Sequence, residues 1–298
     1  MIKRFAIFLT LILFLSSSAF ALEWKRLHEE ADSKSLKGAL ISSQENPGSL
    51  EDLYVLAMLY LNLHKNSDAE SVFKAMLTLE PGLTEARWGI AEVLRRRGEN
   101  QKAEELLQGI MKESPGFSPA NITLAYLRYR QTRFQEAIRL ALAVLRQGQD
   151  EVDLSNYTRA YLIIGGARGM LASAGGVFSK IVNGTQVLPN LKKAEELQPD
   201  SPAVLFGLGS FYFLAPAIAG GNRQKALEYL ERAIEVDPLF ADAYVRLAQV
   251  YKMQGDEITF RKYLDRALEI EPDNELVKDA LSGSCKFNCV TVDVEGQN

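Results

Sequence analysis

Two histidines, His28 and His64, and two cysteines, Cys285 and Cys289, are the side chains of this sequence best suited to acid–base, redox or metal chemistry. Such chemistry needs convergence, and the histidines stand far apart in different predicted helix pairs. No H-E-x-x-H, G-x-S-x-G or paired C-x-x-C occurs, and no GxxxxGK[ST] phosphate loop. Gly207-Leu208-Gly209 lacks a third glycine and a preceding strand. Gly165, Gly166 and Gly169 sit inside a predicted helix, where each costs about 1 kcal/mol against alanine, so close packing is the reason to keep them. Glu104 with Glu105 and Glu195 with Glu196 read as solvated helix faces. The chain therefore reads as no enzyme, with no metal and no cofactor. The cysteines, in SCKFNCV, read as a small disulfide loop if the chain is exported, since a metal site would want more ligands.

With chemistry set aside, what remains is binding by shape, and the elements that could shape a surface are repeated. In Leu205–Pro238 the residues Leu205, Leu208, Gly209 and Tyr212 form one helical stripe. Ala226, Leu230 and Ala233 form a second, and Pro238 stops it. Two antiparallel helices approach closely where facing positions are small, here Gly209 and Ala226. Pro47, Pro81 and Pro115 recur every 34 residues, as do Pro238 and Pro272. The stripes recur with them: Leu53, Leu56, Ala57, Tyr60, Ala69 and Phe73; then Ile90, Ala91, Leu94, Ala103, Leu107 and Ile110; then Leu124, Ala125 and Ala137; and last Tyr244, Leu247, Ala248, Tyr251, Leu264 and Ala267. Phe260 stands where the last pair should be small, which argues against tight packing there. One helix pair cannot bury its own apolar face, so the copies must stack.

The order W-x2-L-G-x2-Y…A-x3-F…P within these stripes resembles the signature of the tetratricopeptide repeat (TPR) family. The resemblance spans residues 50–274 and implies an all-α fold, a right-handed TPR-type α-solenoid of antiparallel helix pairs. About six repeats are expected at 50–83, 84–117, 118–151, 152–201, 202–240 and 241–274. Residues 22–49 should cap the stack, with Trp24–Asn46 as an amphipathic lead-in helix, and 275–298 form a tail. The family's first helices line a concave groove that binds peptides or protein segments. Carried onto this sequence, groove positions are Tyr54, Met58 and Leu61; Trp88, Glu92 and Arg95; Ile122, Tyr126 and Tyr129; and Phe206, Ser210 and Phe213. Aromatic anchors of this kind carry much of the energy of protein recognition. Over residues 198–272 the order of motifs is also similar to the T component of TRAP-type transporters, periplasmic repeat proteins. That likeness implies a second reading, a transport accessory binding a small apolar solute.

Two connections exceed the repeat. Ser173–Gln186 lies between the helices of the fourth pair, and Leu214–Gly221 between those of the fifth. In a solenoid both fall on one rim. Their apolar residues Val177, Phe178, Ile181, Leu214 and Ile218 should either plug their own repeats or dock a partner or a second copy of the chain. Lys3 and Arg4, an apolar run from Phe5 to Leu15 and Ala19-Phe20-Ala21 read as a secretory signal peptide over 1–21. Its removal takes the formal charge from −4 to −6, which argues against nucleic acid as a partner. Eleven apolar residues are too few for an integral span. Near the end, Val290, Val292 and Val294 alternate as a strand would. The sequence predicts an exported, periplasmic scaffold that binds a protein or peptide without catalysis.

Overall fold

The computed structural model describes residues 22–282. The segment 1–21 read as a signal peptide, Cys285 with Cys289, and the valine-rich tail lie outside the described residues. Two short helices come first, α1 (Trp24–Ser33) and α2 (Leu36–Glu45). Six pairs follow: α3 (Leu50–Asn62) with α4 (Asn66–Leu79), α5 (Thr84–Arg96) with α6 (Asn100–Glu113), and α7 (Ser118–Arg130) with α8 (Phe134–Leu145). In the fourth, α9 (Leu154–Ala174) is separated from α11 (Val187–Leu197) by an extra helix, α10 (Val177–Gly184). Then come α12 (Pro202–Leu214) with α13 (Arg223–Val236), α14 (Ala241–Met253) with α15 (Glu257–Ile270), and the closing α16 (Glu275–Ser282).

Local chemistry sets the helix starts. Ser49, Asp153, Asn222 and Asp256 each accept a bond from the backbone N–H three residues on, satisfying one orphan donor at a helix start. Pro119 and Pro202 sit in first turns, where a missing N–H costs nothing. The turn inside each regular pair passes through a residue of positive φ: His64, Gly98, Thr132 and Gly255. Packing follows the predicted stripes. Ala69, Phe73 and Met76 of α4 and Ala103, Leu107 and Ile110 of α6 are fully buried. A Cβ on Gly209 would stand 2.6 Å from Leu230, so α12 and α13 meet through that glycine. Phe260 packs into the core beside Val245, Ala248 and Leu264, so the expectation of loose packing there is corrected.

One further expectation is corrected, and one of two alternatives for the fourth pair is narrowed. Trp24–Asn46 is not one capping helix: the chain breaks at Lys34, in extended conformation, into α1 and α2. Ser35 caps α2, which packs on α3 at the end of the stack. α1 instead turns onto the inner face of the solenoid. Nor is the enlarged connection of the fourth pair a plug, because no residue of α10 is buried.

The stack curls back on itself. His64 after α3 lies 3.0 Å from Asp237 after α13, and Arg130 of α7 lies 2.9 Å from Glu275 of α16.

Candidate functional site, the concave face

The first helices of the pairs turn one face inward, and α1 lies on its N-terminal half. Trp24, Leu27, His28 and Ala31 recur at helical spacing and give α1 one apolar-aromatic face. The Trp24 ring meets Phe117 edge-on at 5.5 Å. The His28 imidazole stacks on Tyr54 at 5.6 Å and leans on Trp88 at 5.5 Å. Its Nε2 is hydrogen-bonded to the Tyr54 hydroxyl at 2.7 Å, and its Nδ1 lies 3.6 Å from the Asp153 carboxylate that caps α9. Around this buried centre the contacts are polar and exposed. Lys25 donates to the carbonyls of Gln149 and Asp150, and Arg26 reaches Glu51 at 2.9 Å. Asp32 accepts from Asn62 and Ser155. A ten-residue helix thus bridges the first, second, third and fourth pairs.

Burial shapes the electrostatics of this seat. It pushes the Tyr54 hydroxyl and the Asp32 and Glu85 carboxyls up from their ordinary values. Burial would raise Asp153 too, but the imidazole of His28 and the amides of Asn156 hold it low. Deeper in, Trp88 Nε1 donates to Thr123 Oγ1, which donates to Glu92. Glu92 in turn accepts from Arg95 at 2.7 Å and from Arg96 at 2.8 Å. Burial alone would raise the Glu92 carboxyl; the guanidiniums outweigh it and hold it well below the usual range. Arg96 also donates to the Leu61 carbonyl, which locks α5 onto α3.

The inward positions divide accordingly. Tyr54 and Trp88 are buried under α1 and form a covered seat, Leu61 and Glu92 are buried too, and Ile122 packs between the third and fourth pairs, so none of the five is an open lining. Phe213 is buried among Val204, Leu208 and Leu230, between repeats. Met58, Arg95, Tyr126, Tyr129, Phe206 and Ser210 are half-buried. The Arg95 guanidinium lies over the Tyr126 ring at 4.8 Å, and Ser210 accepts from Arg246. Burial pushes the Tyr129 hydroxyl up to about 12 and draws the Arg246 guanidinium down to about 10.

Carboxylates read as solvated faces do more than that. Glu104 accepts from Arg128 and Gln131 of the next pair, and Glu195 accepts from Tyr229 of the pair after it. Two hollows on the surface have volumes of about 370 and 290 Å³. The larger is lined by Tyr244, Tyr263, Lys262, Asp265, Arg266 and Glu269. The sequence alone set His28 aside and did not single out Asp153, since the groups they meet are distant in sequence. The signal that could have found the seat is the Trp24…His28 spacing on a short amphipathic helix.

Tetratricopeptide-repeat profiles match residues 54–116, 94–160 and 217–282, more than half of the chain and the same pairs that build this face. The chain is a tetratricopeptide repeat protein. Its repeats form a scaffold for protein interaction, as such repeats do. The repeat protein is 28% identical over 156 residues to the human protein O-mannosyl-transferase TMTC1, covering 50% of this chain and 17% of that one. It is 37% identical over 90 residues to mouse sperm-associated antigen 1, covering 27% of this chain and 10% of that one. It thus spans less than a fifth of the length of these relatives. Its fold is similar to that of a tetratricopeptide repeat protein from Parabacteroides merdae, with TM-score 0.53 at 15% identity, covering 87% of this chain and 97% of that one. It is also similar to a chain of the APC/C hetero-tetramer Cut9–Hcn1, with TM-score 0.57 at 17% identity, covering 86% and 47%.

Proposed function

We propose that this repeat protein is an exported, non-catalytic adaptor whose concave face binds an amphipathic helix of a protein partner in the seat that α1 holds. The observation that carries the reading is the seating of α1. Its aromatic stripe fits Tyr54, Trp88 and Phe117 as an anchor helix fits a groove, with polar contacts at its edges. α1 is short, has no side-chain cap at its start, and is joined to α2 through the extended Lys34. A helix of ten residues is marginal in water, so its order depends on the groove and a better ligand can replace it. Export rests on the N-terminal Lys-Arg, apolar and small-residue segment. Affinity capture tests the reading. The chain starting at Leu22 is used as bait in an envelope extract, with and without excess synthetic peptide of residues 22–34. The expected result is a captured protein that the peptide releases. Capture that the peptide leaves unchanged would contradict it, as would no capture.

A further inference from the structure

The fourth pair carries a helix mounted the wrong way round. In α10 the polar residues face the protein: Ser179 donates to the Leu171 carbonyl at 2.8 Å, and Asn183 donates to Ser179 and accepts from Arg168. The turn into it is tight, since a Cβ on Gly175 would stand 2.4 Å from Ser179 and 2.9 Å from the Leu171 carbonyl. The apolar residues therefore face outward: Val177, Phe178, Ile181 and Val182 are 76, 80, 60 and 45% exposed. Ile218, in the corresponding connection of the next pair, is fully exposed at 100%. Both connections join first to second helices of packed neighbours, so they project from one rim of the stack. Leu214, by contrast, ends α12 half-buried against its core and takes no part.

Charge indicates what this rim meets. The chain has 38 acidic residues, yet residues 154–194 and 201–227 contain none. Lys180 lies in α10, and Arg223 and Lys225 open α13 just after the Ile218 turn; all three are exposed and none is in an ion pair among the described residues. An outward apolar stripe with aromatic and aliphatic anchors, lysine and arginine beside it, and acidic residues excluded suits an anionic lipid surface. A second copy of an acidic chain would gain less from that exclusion. We infer that this rim, α10 with the Ile218 turn, seats the protein peripherally on an anionic membrane. Phe178 and Ile181 enter the headgroup–acyl boundary, while the basic residues meet lipid phosphates. No described helix is long and apolar enough to cross the bilayer, so the contact is interfacial.

Flotation with vesicles tests this. The chain starting at Leu22 is mixed with phosphatidylcholine vesicles carrying about a third phosphatidylglycerol, and with pure phosphatidylcholine vesicles. It should float with the anionic vesicles, less with the neutral ones, and less again in roughly 0.5 M salt. Phe178→Glu with Ile181→Glu should cut the bound fraction about tenfold with an unchanged circular dichroism spectrum. If that pair fails to fold, Lys180→Glu with Ile218→Glu, both on exposed side chains, should give the same loss. Flotation unaffected by either pair overturns the inference. So does a chain that ignores both vesicles, including one that self-associates in sedimentation and becomes monomeric in the variants.

Discussion

His28 Nε2 and the Tyr54 hydroxyl lie 2.7 Å apart, both side chains buried, and this bond ties the N-terminal helix to the inside of the first repeat. His28→Ala leaves the Tyr54 hydroxyl and the Asp153 carboxylate without that partner. The expected cost is about 1–3 kcal/mol, because an unsatisfied buried polar group loses its full desolvation. In urea denaturation His28→Ala with Tyr54→Phe should cost less than the two single changes added together. Strict additivity would show that the two groups are not coupled.

Glu104 carries a pH dependence whose sign is fixed. Its bonds from Arg128, then from Gln131, hold the carboxyl at about 2 against its usual 4.5. Between those values the unfolded chain binds more protons than the folded one, so stability falls as pH falls through the window. The contribution is fully present above about 4.5. Thermal melts should show a shallower acid loss in Glu104→Gln than in the parent chain. Identical slopes would place the acid sensitivity elsewhere.

Gly209→Ala places a methyl 2.6 Å from Leu230, which is fully buried and hemmed in by the fifth pair. Overpacking of this kind costs about 1–3 kcal/mol. Calorimetry should show a lowered melting temperature with the helical spectrum intact. A melting temperature equal to the parent's would mean α13 moves freely away from α12.

Thr132 occupies the left-handed region at φ 61°, where Gly98 and Gly255 stand in equivalent turns. A β-branched residue is strained there. Thr132→Gly should therefore stabilise the protein by up to about 1 kcal/mol in denaturant titration, offset partly by unfolded-state entropy. A destabilised variant would show that the hydroxyl bond to the Gln131 carbonyl outweighs the strain.

The repeats were legible because Ala69 with Phe73, Ala103 with Leu107 and Ala226 with Leu230 recur in a period set by local helix geometry. Groove positions such as Tyr54, Trp88 and Tyr126 were what the family resemblance implied when carried onto that register. The covering of that face was not legible. Trp24 against Phe117 and His28 against Asp153 join residues with no periodic relation, so only the winding of the stack brings them together. The orientation of α10 was hidden for a related reason. Val177, Phe178, Ile181 and Val182 show helical spacing, but an apolar stripe ordinarily points inward, and only the bonds of Ser179 and Asn183 turn it outward.

The central claim is that the concave face is a helix-binding groove with α1 as its resident ligand. The most direct measurement is calorimetric titration of the synthetic peptide of residues 22–34 into a chain that starts at Ser35. The expected result is a folded chain that binds the peptide saturably, with loss of about 1–3 kcal/mol of binding when the peptide carries Trp24→Ala. A chain from Ser35 that folds and leaves the peptide unbound, or that cannot fold without α1, would contradict it.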